Sequence, residues 1–155
     1  MIRKIFLWFL FAIVFQPLFS QDKVEDLPVN VEFRTDTTLI EQKVQAMIDN
    51  DYSTAGMVHA MVVMEEDYDK LLNKYYKMLL DKMKTQEDKN VLIETQRNWI
   101  KFRDSEIKLI YTISRDTYTG GGTMWRLVSA SSVAELTKQR LIEIYNYLTY
   151  SDIDN

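Results

Sequence analysis

Apolar residues along this chain recur mostly at spacings of three and four, the period of one face of an α-helix. Between residues 54 and 84 the stripe reads Met57, Met61, Met64, Tyr68, Leu71/Leu72, Tyr75, Leu79 and Met83. It predicts a long helix with one face turned to a core. Ser53 is placed to cap its start. The Met residues, at helical spacing, read as core filler rather than as an adaptable binding surface. Thr85-Gln86-Glu87-Asp88 predicts a capped turn. A further helix then runs to about Ser114, with Leu92, Gln96, Trp99, Arg103 and Ile107 inward and Ile93, Ile100, Ile110 and Tyr111 flanking. Gly120-Gly121-Gly122 ends that section, and Thr123 is placed to cap a last helix from Met124 to about Tyr147. Its inner stripe is Val133, Leu136, Arg140, Ile144 and Tyr147. Upstream, Leu39, Val44, Met47 and Ile48 predict a short helix from Thr37 to about Asn50. The predicted fold is all-α: an antiparallel helical bundle of three long helices plus a short N-terminal helix, over residues 37–150.

The first 36 residues break this pattern. Arg3 and Lys4 precede an unbroken apolar run from Ile5 to Phe15, Gln16-Pro17 interrupts it, and Ser20 supplies a small residue. That is the three-part layout of a secretory signal peptide over residues 1–20. The run is 11 residues long, well short of the roughly 20 that span a bilayer. Residues 21–36 hold no sustained period, include Pro28 and mix charges with single apolar residues, so they read as a linker or flexible arm. Val29, Val31 and Phe33 alternate like a short strand, but nothing is predicted to pair with it. The expected destination is periplasmic or secreted, with no membrane contact once the leader is removed.

Export sharpens the charge picture. The whole chain carries 19 Lys+Arg against 23 Asp+Glu, net −4. Without Arg3 and Lys4 the mature product holds 17 basic and 23 acidic residues, net −6. An acidic surface disfavours nucleic acid as a partner. There are no cysteines, which excludes disulfides, a thiol nucleophile and thiolate-held metal. The fold must therefore hold by packing alone.

Few residues suggest catalysis. His59 is the sole histidine and lacks the second ligand that a histidine metal site needs. Glu65-Glu66-Asp67 with Asp69 lies mid-helix without the glycine of a calcium loop. Neighbours there point about 100° apart, so the run reads as a solvated face. Ser129, Ser131 and Ser132 have no nucleophile elbow around them. Gly120-Gly121-Gly122-Thr123 lacks the spacing and lysine of a phosphate loop, and reads as a tight connection between helices. No cofactor, metal site or catalytic residue is predicted.

The most informative run is Gln96-Arg97-Asn98-Trp99-Ile100-Lys101-Phe102-Arg103-Asp104. Trp99 and Arg103 stand at i,i+4, so the guanidinium can lie on the indole. A charge on the apolar stripe needs a carboxylate partner, and Asp69 on the preceding helix is the candidate. Asp69, Trp99, Arg103 and Asp104 thus read as a structural polar clamp. The same run, T-Q-R-N-W-I-K-F-R-D, resembles the A-Q-R-x-W-x-x-F-R-D signature of the lysozyme inhibitor LprI N-terminal-domain family. Asp69-Lys70-Leu71-Leu72-Asn73 with Tyr76 is similar to that family's D-x-x-L-N-x-x-Y. Gly121-Gly122-Thr123-Met124 is similar to its G-G-S-M loop, and Glu135-Leu136-Thr137-Lys138-Gln139-Arg140 to its E-L-T-x-x-R ending. The four segments come in the same order, from about Ser53 to Leu148. Typical members carry four cysteines, three of which match Ala60, Ile107 and Ser132 here, while the other falls before Ser53. The family's T-Q-x-E-M helix start is Ser53-Thr54-Ala55-Gly56-Met57, without the Glu of a capping box.

The resemblance implies an exported, non-enzymatic helical domain that binds and inhibits lysozyme-type muramidases. Such targets are commonly basic, which suits an acidic inhibitor. An inhibitor needs a protruding element for the sugar cleft, and the loop Gly120, Gly121, Gly122, Thr123, Met124 and Trp125 is the candidate, with Trp125 as its anchor. The alternative is a non-catalytic cell-envelope interaction module with no muramidase target.

Overall fold

Proline has no N–H to lose in the first turn of a helix, and its fixed φ already suits one. Pro28 accordingly opens a helix where the sequence pattern suggests an arm. The computed structural model describes residues 28–150. Its first element, α1 (Pro28–Asn50), absorbs residues 28–36, and the reading of those nine positions as linker is corrected. Residues 21–27 and the expected leader over 1–20 lie outside the described residues. The cause is a stripe that begins before Leu39: Val29, Asn30, Phe33, Thr37, Ile40 and Val44 all turn at least partly inward. Phe33 stacks on Tyr145 with ring centres 3.8 Å apart, and meets Tyr75 edge-on at 5.2 Å. The first helix is therefore long, and the described residues form four long helices.

The others are α2 (Thr54–Lys82), α3 (Gln86–Ile113), the single turn α4 (Asp116–Thr119) and α5 (Met124–Tyr150). Among the described residues there is no strand. Ser53 caps α2 by accepting from the Gly56 N–H at 3.0 Å, and Thr85 caps α3 by accepting from the Asp88 N–H at 3.1 Å. A Cβ at Gly56 would collide with the backbone and carboxyl of Asp51, so the tight α1–α2 turn demands glycine there. No helix among the described residues is long and apolar enough to cross a membrane.

Contacts between the helices fix their directions. Asp36 and Lys43 of α1 pair with Lys74 and Asp67 of α2, so these neighbours run antiparallel. Gln96 of α3 meets Arg140 of α5, and Ser114 meets Ser129, again antiparallel. Residues 65, 68 and 75 of α2, by contrast, meet 137, 138 and 145 of α5, so α2 and α5 run parallel. They form the central pair, with α1 and α3 on its flanks.

Burial is uneven along that pair. Towards the C-terminal ends of α2 and α5, Tyr68, Leu72, Tyr75 and Leu79 interlock with Leu141, Ile144 and Leu148, joined by Leu92 of α3. Fully burying one such aliphatic side chain contributes about 1.5–3 kcal/mol. Burial, then the carboxylates of Asp36 and Glu32, push the Tyr75 hydroxyl well above its usual range. It stays protonated and donates to Asp36 at 3.4 Å. Towards the other end the buried residues are small: Ala60, Ser129, Ala130, Ala134 and Thr137. Met64, Met78 and Met83 pack around the large-residue core rather than inside it. On α5, Tyr147 is exposed, contrary to the predicted stripe, and Leu141 and Leu148 are buried instead.

Two consequences can be measured. Phe33→Ala removes a ring wedged between two tyrosines and should lower the unfolding free energy by about 2–4 kcal/mol. An undocked arm would leave the denaturation midpoint unchanged. The Asp67 carboxyl is held below its usual 3.8 by hydrogen bonds from Lys43 and Lys70. Its stabilisation is complete above the unfolded-state value and is lost as pH falls through the lower folded-state value. Asp67→Asn should therefore cost about 0.2–1 kcal/mol at pH 7, and the difference from the parent chain should close in acid below the usual carboxylate range.

Candidate functional site

Successive helical residues point about 100° apart, and the acidic run of α2 uses this to reach three neighbours. Asp67 accepts from Lys43 of α1 at 2.6 Å, Glu65 from Thr137 of α5 at 3.2 Å, and Asp69 from Arg103 of α3 at 3.1 Å. Only Glu66 of the four matches the expected solvated face. Glu65 and Asp67 are corrected to interhelical ties, and Asp69 makes the tie to Arg103 expected of it. Among the described residues no group of three or more His, Cys, Asp or Glu is placed to hold a metal ion. His59 is exposed on α2.

The structure brings Asp69, Trp99 and Arg103 together. The Arg103 guanidinium lies 5.3 Å from the Trp99 ring centre while donating to Asp69. Asp104 is peripheral: it is exposed and accepts from Arg103 only at 3.4 Å. Asp69 keeps 40% of its side chain exposed, so this ion pair contributes at most about 1 kcal/mol. The more deeply buried cation is Arg140 of α5, 5% exposed. Its Cζ lies 5.8 Å from the same indole. Its Nε donates to the buried Gln96 at 3.0 Å, and its Nη1 to Glu143 at 2.8 Å. Its Nη2 is buried without a hydrogen-bond partner among the described residues. Two guanidiniums thus share one aromatic surface, and α3 is held to the bundle largely through it.

Gln96 and Arg140 are the clamp members that the Trp99–Arg103 spacing does not reveal. Their signal is positional, since both are polar residues on otherwise apolar stripes. Such residues are retained where each satisfies the other.

At the opposite end of α3 the chain turns through Ser114, whose hydroxyl donates to the Ile110 carbonyl and sits 2.7 Å from that of Ser129. The turn α4 closes on Gly120, whose N–H donates to the Asp116 carbonyl at 2.9 Å. Gly120, Gly121 and Gly122 all have positive φ, 76°, 89° and 113°, a region that side-chain-bearing residues rarely enter. The Thr123 carbonyl accepts from the Arg126 N–H at 3.1 Å. Gly121 is half-buried, and the other five residues of the 120–125 segment are exposed. Met124 and Trp125 share this tip with exposed Tyr118 and Val128. The clamp and the loop are separate places: one fastens α3, the other caps the end of the bundle with apolar side chains in water.

The clamp makes a paired prediction. Gln96→Ala strips the Nε partner from an already under-satisfied buried cation and should cost about 1–3 kcal/mol. Arg140→Met removes the cation itself and should cost less, or even stabilise the bundle. Equilibrium denaturation of both variants checks the order.

The described residues include all four of the segments that signal a family, three on helices and one in the glycine loop. A family model for lysozyme inhibitor LprI matches residues 47–144, more than half of the chain. No curated protein and no solved structure matches it. The matched span opens in the last turn of α1 and closes at the core residue Ile144, so it takes in the acidic ties, the two-arginine clamp and the glycine loop. On that match, the chain belongs to the lysozyme inhibitor LprI family.

Proposed function

We propose that this protein acts beyond the inner membrane by binding and inhibiting lysozyme-type muramidases, without turnover, and that the 120–125 loop enters the target's sugar cleft. Membership of an inhibitor family carries the reading. The exposed tip supports it. Trp125 follows three glycines whose backbone other residues cannot adopt without strain, and large aromatic side chains dominate binding energy at protein interfaces. The net −6 of the mature chain favours rapid encounter with a basic target.

The test is an inhibition assay of the mature chain against several lysozymes. Stoichiometric inhibition that weakens as salt rises is expected. Trp125→Ala should weaken it by about 30-fold, the equivalent of about 2 kcal/mol at an anchor position. Gly121→Pro, which cannot take a φ of 89°, should do the same. Inhibition untouched by either change would remove the loop from the mechanism. No inhibition of any muramidase at micromolar protein would leave a non-catalytic cell-envelope interaction module as the standing reading.

A further inference from the structure

α3 is amphipathic in an unusual way, because a second apolar stripe faces water. Phe102, Leu109 and Ile113 are 52%, 50% and 53% exposed. They stand four before, three after and seven after Glu106, so they share its side of the helix. Glu106 and Ile110 form one bank of an open groove of about 590 Å³ between α3 and α5. Ser132, Glu135, Leu136 and Gln139 are on the other bank. Val128 and Trp125 precede Ser132 by four and seven residues, so the α5 bank runs on, along one helix face, into the exposed tip.

The chemistry of this groove is one-sided. Ile110 and Leu136 give each bank an apolar side chain, Glu106 and Glu135 give each a carboxylate, and no lining residue is cationic. Glu135 accepts from Gln139, while Glu106 has no hydrogen-bond or ion-pair partner among the described residues. An apolar trough with an anionic rim complements a segment with apolar side chains on one face and Lys or Arg beside them. The aliphatic stems of those cations can lie on Ile110 and Leu136 while their heads meet the carboxylates.

We infer that the α3–α5 groove, with the Phe102–Leu109–Ile113 stripe as its outer wall, seats a cationic amphipathic segment of the protein partner, alongside the loop. The inference rests on the inhibitor reading for the partner's identity, but the groove's preference for such a segment can be tested separately.

Two measurements on the mature chain separate them. The first is an amide chemical-shift titration with a helical peptide of leucine and lysine whose leucines occupy one face. Shifts confined to residues 102–113 and 125–139, and lost in the Glu106→Lys/Glu135→Lys double variant, support the groove. Shifts elsewhere, or none, overturn it. The second compares binding of a basic lysozyme by the parent chain and that variant, with circular dichroism verifying the fold. A loss of at least about tenfold, with a shallower salt dependence, is expected where two close charge pairs are reversed. Unchanged lysozyme affinity in the variant overturns the groove while the inhibitor reading stands. Peptide shifts in the groove with no lysozyme bound uphold the groove while the inhibitor reading falls.

Discussion

The parallel contact between α2 and α5 is what the remaining structure depends on. A chain with no cysteine has no covalent tie to limit its unfolded state, so one large interface must hold the fold. That interface is graded. Tyr68, Leu72, Tyr75 and Leu79 against Leu141, Ile144 and Leu148 fill one half with large side chains, while Ala60, Ala130, Ala134 and Thr137 let the backbones come close in the other. Interiors pack at crystal-like density, so a small-residue layer fixes the helix separation as firmly as a large-residue one. α1 then closes the large-residue half through Phe33 and the Asn30–Tyr145 hydrogen bond.

α3 is fastened differently. It buries only Leu92 and Gln96 among its 28 residues, and its middle is held by Trp99 against two arginines. Guanidinium–indole contacts are directional but individually modest, about 0.5–2 kcal/mol. They set the register of α3 without burying its whole surface. This leaves Phe102, Leu109 and Ile113 in water on a helix that the clamp nevertheless holds in place.

Much of this was legible in the residue pattern, and the misses have physical causes. α2, α3 and the caps at Ser53 and Thr85 carry local signals, a long period-3.6 stripe and a hydroxyl ahead of it, and both helices end within about two residues of expectation. The start of α1 is hidden because residues 28–36 show no sustained period and mix charges with single apolar residues behind Pro28. Only Val29 and Phe33 pack on the core, while Val31 is exposed, and that follows from the position of Tyr145, more than a hundred residues away. α5 sits at the centre and is contacted from several sides, so a single-stripe reading placed Tyr147 inward and passed over Leu141 and Leu148. The carboxylate partner of Arg103 could be named from cost alone. The pairing of Arg140 with Gln96 could not, since it joins two helices 44 residues apart. The 120–125 loop was visible as three glycines, whereas the groove beside it exists only once α3 and α5 are docked.

These features sort the molecule along its length. The end with the large core holds the helices together, and the end with the small-residue layer carries the positive-φ glycines, Trp125 and the open groove. Fastening α3 by a clamp near its middle couples the two ends. It fixes Phe102 and Ile113 relative to Trp125, so loop and groove are held as one exposed surface. Presenting rigid apolar groups in advance reduces the ordering cost of association, and a carboxylate on each bank favours a cationic partner over a neutral one. A domain without disulfides can thus keep its glycine-loop end exposed, because its large-residue core is concentrated at the other.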